Sequence, residues 1–252
     1  DASEFGIFSF TSSGSTANAV TLINDDAGIA VGDLVTVNIS GAAPFTFGTG
    51  ITAGAGAGTT IDASTATGNL TITGVNFETV TLGSGDDILK LGATQISQTS
   101  AASKVNYNGG AGTDTLALGA QDLSSSGFLN GAATSTDVVT NFETLTATGS
   151  VGTASDLDVA RGIDANTIAG ITTIKVELDN NDTATSNSGS GEDLTLTVSD
   201  LLAGQVVQVS GFSNNGSNAA AIADSDINVT LDMDSPTGSS DTVTFQSVAS
   251  SA

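Results

Sequence analysis

The chain has 252 residues, among them 4 Lys and Arg, 27 Asp and Glu, no His and no Cys. Its net charge of −23 argues against nucleic-acid binding, which relies on cationic side chains. Without His or Cys, the usual zinc sites, thiol redox centres and Ser-His-Asp or Cys-His catalytic groups are excluded. Oxygen ligands remain, and carboxylates in Gly-rich surroundings favour Ca²⁺ over transition metals. The composition therefore indicates Ca²⁺ as the cofactor.

Short apolar runs alternate with Thr and other polar residues along the whole chain, and apolar residues make up 38% of it. Such runs, separated by Gly, Asn, Asp and Ser, predict an all-β fold. The predicted strands are Ala19–Ile23, Leu34–Ile39, Leu70–Thr73, Glu78–Leu82, Ile88–Leu91, Thr115–Leu118, Glu143–Ala147, Thr172–Leu178, Leu194–Val198, Val206–Ser210, Ile227–Leu231 and Thr242–Phe245. Two short segments, Asp156–Ala160 and Asp200–Ala203, are the only candidates for helical turns.

Two internal repeats predict an elongated β-roll or β-solenoid. Strand sequences begin at residues 70, 79 and 88, a spacing of nine residues that is typical of solenoids. A longer repeat relates the sequence NFETVT at 76–81 to NFETLT at 141–146. We interpret it as a duplication that places Phe77 and Phe142 at equivalent core positions.

Domain boundaries are indicated by composition. The Gly-Ala-rich segment Phe47–Thr60 separates an N-terminal β region, residues 1–60, from a β-roll repeat region, residues 61–150. Residues 151–252 form a C-terminal β region with looser strand spacing. The sequence leaves open whether that region continues the roll or forms a β-sandwich-like part.

A nine-residue motif contains the candidate metal ligands. Residues Gly109–Ala117 match G-G-x-G-x-D-x-U-x, the calcium-binding β-helix repeat of RTX proteins, in which U is a large apolar residue. Its glycines permit a turn that points carbonyl oxygens inward, its Asp supplies charge, and its apolar residue begins a strand. A second copy is Leu82–Lys90, and a weaker third copy is Ser188–Leu196, where Thr195 replaces the apolar residue.

The motifs make Asp87 and Asp114 the leading calcium candidates, followed by Asp193 with Gly191 in the third copy. Asp86 lies beside Asp87, and a divalent cation would relieve the repulsion between these like charges. The competing interpretation is that such Asx-rich segments are ordinary solvated turns.

The first two copies begin 27 residues apart, which is three nine-residue units. This interval either places their turns on opposite edges of the roll or requires an enlarged coil between them. The polar segment Thr94–Ser103 is the candidate for the enlargement.

These motifs resemble the RTX-type calcium-binding bacterial surface-layer (S-layer) proteins of the Caulobacter type. The resemblance rests on a G-x-G-D-D loop at Gly83–Asp87, an N-G-G-x-G-T-D loop at Asn108–Asp114 and an F-E-T-L strand at Phe142–Leu145, in this order. The segment Asn228–Phe245 adds to it. It covers about half of the chain and implies that the chain is a fragment of a longer polypeptide.

The resemblance implies a calcium site made of turn carbonyls and Asp side chains. The positions that match are Gly83, Gly85, Gly110, Gly112, Asp87 and Asp114, with Asp241 as a further candidate. It also implies a secreted, extracellular structural protein that self-associates into a cell-surface lattice and contacts cell-surface polysaccharide. No run approaches the 18 or more apolar residues of a membrane span, so we expect no membrane insertion.

Two other function classes compete with this interpretation. An extracellular calcium-stabilised adhesin or carbohydrate-binding module would use the same scaffold, but sugar sites need exposed aromatics and the chain has one Tyr and no Trp. An enzyme would need paired carboxylates converging on one point, such as the adjacent Asp86 and Asp87 or the pair Asp232 and Asp234, and no His, Cys or Arg-rich pocket supports either pair. Adjacent strand residues point to opposite faces, so we expect no enzymatic activity.

Overall fold

The structure is a computed structural model that describes residues 7–22, 36–49, 60–75, 77–91, 105–118, 138–150, 159–165, 169–180, 194–202, 204–214, 227–233 and 242–245. These residues form β-strands joined by turns and contain no helix. The strands are β1 Ile7–Ser12, β2 Asn18–Leu22, β3 Thr36–Gly41, β4 Phe45–Thr49, β5 Thr60–Ala66, β6 Leu70–Val75, β7 Thr79–Thr81, β8 Ile88–Leu91, β9 Asn106–Asn108, β10 Thr115–Leu118, β11 Val138–Thr140, β12 Thr144–Ser150, β13 Val159–Asp164, β14 Thr173–Asn180, β15 Leu194–Leu201, β16 Val206–Asn214, β17 Ile227–Met233 and β18 Thr242–Phe245.

Successive strands alternate between sheets. Even-numbered strands form a nine-strand sheet in the order β18-β16-β14-β12-β10-β8-β6-β4-β2. Strands β1 to β11 with odd numbers form a six-strand sheet, and β13, β15 and β17 form a three-strand sheet. All paired strands are parallel, for example β8 with β10 and β10 with β12. Each coil thus contributes one strand to each side, and the predicted all-β solenoid is confirmed.

In-register apolar side chains build the core from both sides. The nine-strand sheet contributes an unbroken column of seven buried residues, namely Phe47, Ile72, Leu89, Leu116, Leu145, Ile174 and Val207. The six-strand sheet contributes Val37, Ile61, Val80, Tyr107 and Val139. Both columns belong to one core cluster, and each large apolar side chain contributes about 1.5–3 kcal/mol on burial.

The nine-residue repeat corresponds to half a coil. Its three strand sequences lie in β6, β7 and β8, which alternate between the nine-strand and six-strand sheets. The two copies of the longer repeat also fall in different sheets, because one copy includes β7 of the six-strand sheet and the other includes the start of β12 of the nine-strand sheet. Phe77 and Phe142 are both buried, as predicted, but they precede strands of different sheets, β7 and β12, which are two and a half coils apart. Their predicted equivalence is therefore wrong for the full coil, because the two residues lie before strands of opposite sheets.

The 27-residue interval is an enlarged coil. Thr71 of β6 pairs with Ile88 of β8, 17 positions later, whereas Ile88 pairs with Thr115 of β10, 27 positions later. Both pairings lie in the nine-strand sheet, so the two motif turns share one edge. The additional residues lie between β8 and β9; the segment Thr94–Ser103 falls there in sequence but lies outside the described residues.

All twelve predicted strands are confirmed, with boundary differences of a few residues. Six strands escaped prediction, namely β1, β4, β5, β9, β11 and β13, because Ser, Asn, Gly or Asp interrupts the apolar alternation in five of them and β11 has only three residues, Val-Val-Thr. The predicted helical turns are wrong where the structure describes them. Val159 and Ala160 begin β13, and Asp200 lies in β15 with a φ of 54°, within the register shift between Val198 and Leu201.

The described C-terminal strands continue the parallel pattern. β14, β16 and β18 extend the nine-strand sheet, and β13, β15 and β17 pair in parallel with one another. This favours continuation of the roll over an antiparallel sandwich. The division at residues 60 and 150 stays a prediction. No helix long and apolar enough to cross a membrane occurs in the described parts of the chain.

The apolar column gives a first test of the fold. Leu116→Ala should lower the free energy of unfolding by about 2–5 kcal/mol, because it leaves a cavity between Leu89 and Leu145. Ile88→Ala, on the outward face of the neighbouring strand, should cost less than about 1 kcal/mol. Urea unfolding followed by circular dichroism measures both. Equal losses would contradict the assignment of inward and outward faces.

Candidate metal centre

The two best motif copies form stacked turns on one edge of the solenoid. Residues 83–87 precede β8 and residues 110–114 precede β10, and these strands are neighbours. The Ala111 N–H donates to the Gly83 carbonyl at 2.9 Å, and the Thr115 N–H donates to the Asp87 carbonyl at 2.8 Å. The structure therefore brings both predicted turns together.

Their glycines allow an approach that no side chain permits. A Cβ on Gly110 would lie 2.1 Å from the Gly83 carbonyl oxygen, and one on Gly112 would lie 2.3 Å from that of Gly85. Gly110 and Gly112 also have φ values of 95° and 139°, which L side chains rarely adopt. The carbonyl oxygens of one turn thus point at the backbone of the next. Close stacking alone accounts for these glycines, with or without a metal.

Asp87 is fully buried, and both of its carboxylate oxygens are hydrogen-bonded. The Leu70 N–H of the preceding coil donates to Oδ1 at 2.7 Å, and the Gly83 N–H donates to Oδ2 at 3.1 Å. Burial raises the pKa of Asp87 above its usual value, the hydrogen bonds from Leu70 and Gly83 oppose this, and the nearby Asp86 charge adds to it. Asp87 is a satisfied acceptor that joins two coils.

Asp114 is also fully buried, but only one of its oxygens has a partner. The Asp87 N–H donates to Oδ1 at 2.8 Å, whereas Oδ2 is buried without a hydrogen bond. Burial raises the pKa of Asp114 to about 7; the Asp87 hydrogen bond lowers it, and the charges of Asp87, Glu143 and Asp86 raise it. A buried carboxylate oxygen without a donor requires an explanation. A proton or a cation at Oδ2 supplies one.

The sequence did not reveal two further residues of this edge. Glu143 accepts the Asp114 N–H at Oε2, at 2.7 Å, and Asn69 accepts the Asp86 N–H at Oδ1, at 3.2 Å. Each lies directly before a strand of the nine-strand sheet, as Asp87 and Asp114 do. Neither residue belongs to a copy of the nonapeptide motif, and the predicted strand Glu143–Ala147 placed Glu143 inside the strand itself.

Asp86 lies on the outside of the same stack. It is exposed, and its Oδ1 accepts the Thr113 N–H at 2.9 Å. Asp86 and Asp87 are adjacent in sequence, but Asp86 is exposed and Asp87 is buried. The acidic residues linked by hydrogen bonds from coil to coil are therefore Asp87, Asp114 and Glu143. The predicted Gly191, Asp193 and Asp241 lie outside the described residues.

The donor set at this edge is dominated by oxygen. No group of three or more His, Cys, Asp or Glu side chains suited to a metal occurs among the described residues. A metal at this edge would therefore take most of its ligands from backbone carbonyls. Ca²⁺ accepts about six to eight oxygens, carbonyls included, in flexible geometry, whereas Mg²⁺ demands a near-ideal octahedron. Carboxylate and carbonyl oxygens of the kind found at this edge, such as Asp114 Oδ2, are ligand types that Ca²⁺ accepts.

Comparisons with family models, with curated proteins and with solved structures give no match to this chain.

The stacking of the turns can be tested at Gly112. Gly112→Ala should lower the free energy of unfolding by about 2 kcal/mol or more beyond the effect of Gly14→Ala. Gly14 also has a positive φ, of 97°, but a Cβ there meets nothing within 4 Å. The matched pair separates backbone strain from collision with Gly85. Equal losses in urea unfolding would show that the turns do not approach each other closely.

The raised pKa of Asp114 predicts a pH dependence of stability in the presence of a chelator. Because the folded chain holds a proton there to about pH 7, and the unfolded chain releases it near 3.8, the free energy of unfolding should fall as pH rises between these values. Asp114→Asn should lack this component. Denaturant unfolding from pH 4 to pH 8 measures the difference between the two proteins. A difference that is constant with pH would contradict the assignment.

Proposed function

We propose that this chain is a structural cell-surface protein, a component of a surface-layer lattice, whose folding and assembly depend on Ca²⁺ bound at the stacked turns. The observation that carries the proposal is Asp114 Oδ2, a buried carboxylate oxygen without a hydrogen-bond partner, which belongs to the second of the two stacked motif turns. Asp87 and Asp114 would supply negative charge, and the carbonyls of Gly83, Gly85, Gly110 and Gly112 would supply the other ligands.

The charge distribution supports a cation there. Asp87, Asp114 and Glu143 lie on successive coils, and Asp86 adds a fourth carboxylate nearby. Unpaired buried charges are costly unless a counterion or a proton neutralises them. A divalent cation neutralises two charges at once and contacts the turns of two coils. Its binding therefore stabilises the stacking of the coils.

Calcium linkage gives the proposal its mechanism. A cation that binds the folded chain stabilises it by RT ln(1 + [Ca²⁺]/Kd), and extracellular modules have a Kd of about 10⁻⁴–10⁻³ M. Millimolar external Ca²⁺ then adds about 0.4–1.4 kcal/mol per site. The chain remains less stable in the calcium-poor cytosol and gains stability outside the cell.

A carbohydrate-binding module is less well supported. Tyr107, the only Tyr of the chain, is fully buried, and its hydroxyl donates to the Phe77 carbonyl at 3.0 Å. It cannot act as an exposed stacking platform for a sugar ring. A structural role needs no such platform.

The test is thermal unfolding with light scattering, first in chelator and then over micromolar to millimolar Ca²⁺, with Mg²⁺ as control. We expect Ca²⁺ to raise Tm and to promote self-association, and Mg²⁺ to do so weakly. Asp114→Asn should remove most of the Ca²⁺-dependent rise in Tm. Asp62→Asn, which changes an exposed carboxylate on the six-strand sheet, should keep it. Indifference of the wild-type Tm to Ca²⁺ would refute the proposal.

A further inference from the structure

The two stacked motif turns use equivalent N–H groups differently. Asp87 and Asp114, and likewise Gly83 and Gly110, lie 27 residues apart at the same positions of neighbouring coils, as the pairing of β8 with β10 requires. In the first turn the Gly83 N–H donates to Asp87 Oδ2 at 3.1 Å. In the second turn the Gly110 N–H donates to Asn108 Oδ1 instead, at 3.0 Å. Asp114 Oδ2 thus lacks the donor that its counterpart in Asp87 has.

The difference between the turns begins at Asn108, the last residue of β9. Its partner on the preceding coil is Thr81 of β7. An Asn side chain readily accepts the N–H of the residue two positions later, whereas a Thr hydroxyl does so more weakly. Asn108 therefore takes the Gly110 N–H, while Thr81 leaves the Gly83 N–H to Asp87.

The following coil holds the Asn108 side chain in this position. The Asn141 Nδ2 donates to Asn108 Oδ1 at 2.8 Å, so this oxygen accepts two hydrogen bonds, the number that its two lone pairs allow. The backbone is held as well, because the Gly109 N–H donates to the Thr140 carbonyl at 3.0 Å. Rotation of the Asn108 side chain away from Gly110 would break both hydrogen bonds to Oδ1.

A second difference places a carbonyl oxygen beside Asp114. The second turn has Gly109 where the first has Leu82. A Cβ on Gly109 would collide with the Asn141 carbonyl oxygen and would lie 2.9 Å from Asp114 Cβ. The second turn thus brings a carbonyl of the next coil close to the residue whose Oδ2 is buried and unpartnered. Both oxygens are ligand types that Ca²⁺ accepts.

We propose that Asn108 is the positioning residue of the calcium site, because it takes the Gly110 N–H and so keeps Asp114 Oδ2 open for Ca²⁺. This inference rests on the proposed function and names the turn that binds and the residue that decides it. In the first turn, the Gly83 N–H closes the corresponding oxygen of Asp87. Asn108 acts through Gly110 and is not itself required as a ligand.

Competition for one oxygen is the physical basis of this role. A hydrogen-bond donor and a cation both seek the negative charge of the carboxylate, and Ca²⁺ can bind an engaged oxygen only by weakening or displacing the donor. Hydrogen bonds to charged groups are among the stronger ones in proteins. A donor at Asp114 Oδ2 should therefore lower the affinity for Ca²⁺ markedly.

The experiment is calorimetric titration of Ca²⁺ into the chelator-treated full chain, with the site identified by its loss in Asp114→Asn. Asn108→Ala should raise the Kd of this site about tenfold or more, because the freed Gly110 N–H can then reach Asp114 as Gly83 reaches Asp87. Asn108→Asp keeps an oxygen acceptor for the Gly110 N–H and should retain the site. Asn106→Ala, an exposed position two residues earlier in β9, should bind like the wild type.

Two further measurements separate positioning from a loss of stability. The rise in Tm between chelator and Ca²⁺, taken for each protein by itself, should shrink in Asn108→Ala and persist in Asn108→Asp. Amide hydrogen exchange in chelator should show the Gly110 N–H protected in the wild type and in Asn108→Ala, because Asp114 replaces Asn108 as its acceptor. Rapid exchange at Gly110 in the folded Asn108→Ala protein would overturn the inference.

The remaining outcomes distinguish this inference from the proposed function. If the wild type binds Ca²⁺ and Asn108→Ala binds it equally well, Asn108 has no positioning role, although the calcium function stands. Loss of the site in Asn108→Asp, or in Asn106→Ala, would show that an acceptor for Gly110 is not what matters and would also refute the inference. Absence of Ca²⁺ binding by the wild type would refute the proposed function and this inference with it.

Discussion

The edge formed by the stacked turns depends on one repeated interaction, in which an acidic side chain before a strand accepts the peptide N–H at the same position of the preceding coil. Asp87 accepts from Leu70, Asp114 from Asp87, and Glu143 from Asp114, at 2.7–2.8 Å. Hydrogen bonds to charged acceptors are worth about 1.5–3 kcal/mol each. They hold successive coils in register at the turn, where no strand pairing does so. They also bury the carboxylates of Asp87 and Asp114 on adjacent coils and leave Asp114 Oδ2 without a hydrogen-bond donor.

Much of the fold could be predicted because a solenoid repeats local patterns. Apolar alternation located β8 and β10 to the residue, and the half-coil period of nine residues is visible wherever no insertion interrupts it. Register could not be predicted, because it depends on how many residues each coil adds. The insertion between β8 and β9 moves Asp114 onto the edge already occupied by Asp87. Only three-dimensional pairing reveals that displacement.

The candidate site could also be predicted in part, because part of it lies in a repeated local sequence motif. The motif identified Asp87 and Asp114 because glycine spacing and a strand-starting apolar residue accompany each of them. Glu143 has neither signal, since its turn is Asn141–Phe142–Glu143, with Asn141 at a φ of 58° in place of glycine. Its role follows from contact with the Asp114 N–H, which no local pattern encodes. The absence of a hydrogen-bond partner at Asp114 Oδ2 likewise depends on which groups surround it in the folded chain, and the sequence does not specify these.

The central claim is that Asp114 Oδ2 binds Ca²⁺ together with the turn carbonyls, and calorimetric titration of Ca²⁺ into the chelator-treated chain tests it most directly. Wild-type protein should bind Ca²⁺ saturably with a Kd of about 10⁻⁴–10⁻³ M. Asp114→Asn should lose at least one binding site, and Asp62→Asn should lose none. The same isotherm for wild type and Asp114→Asn, or no binding to the wild type, would contradict the account and leave a proton as the partner of this carboxylate.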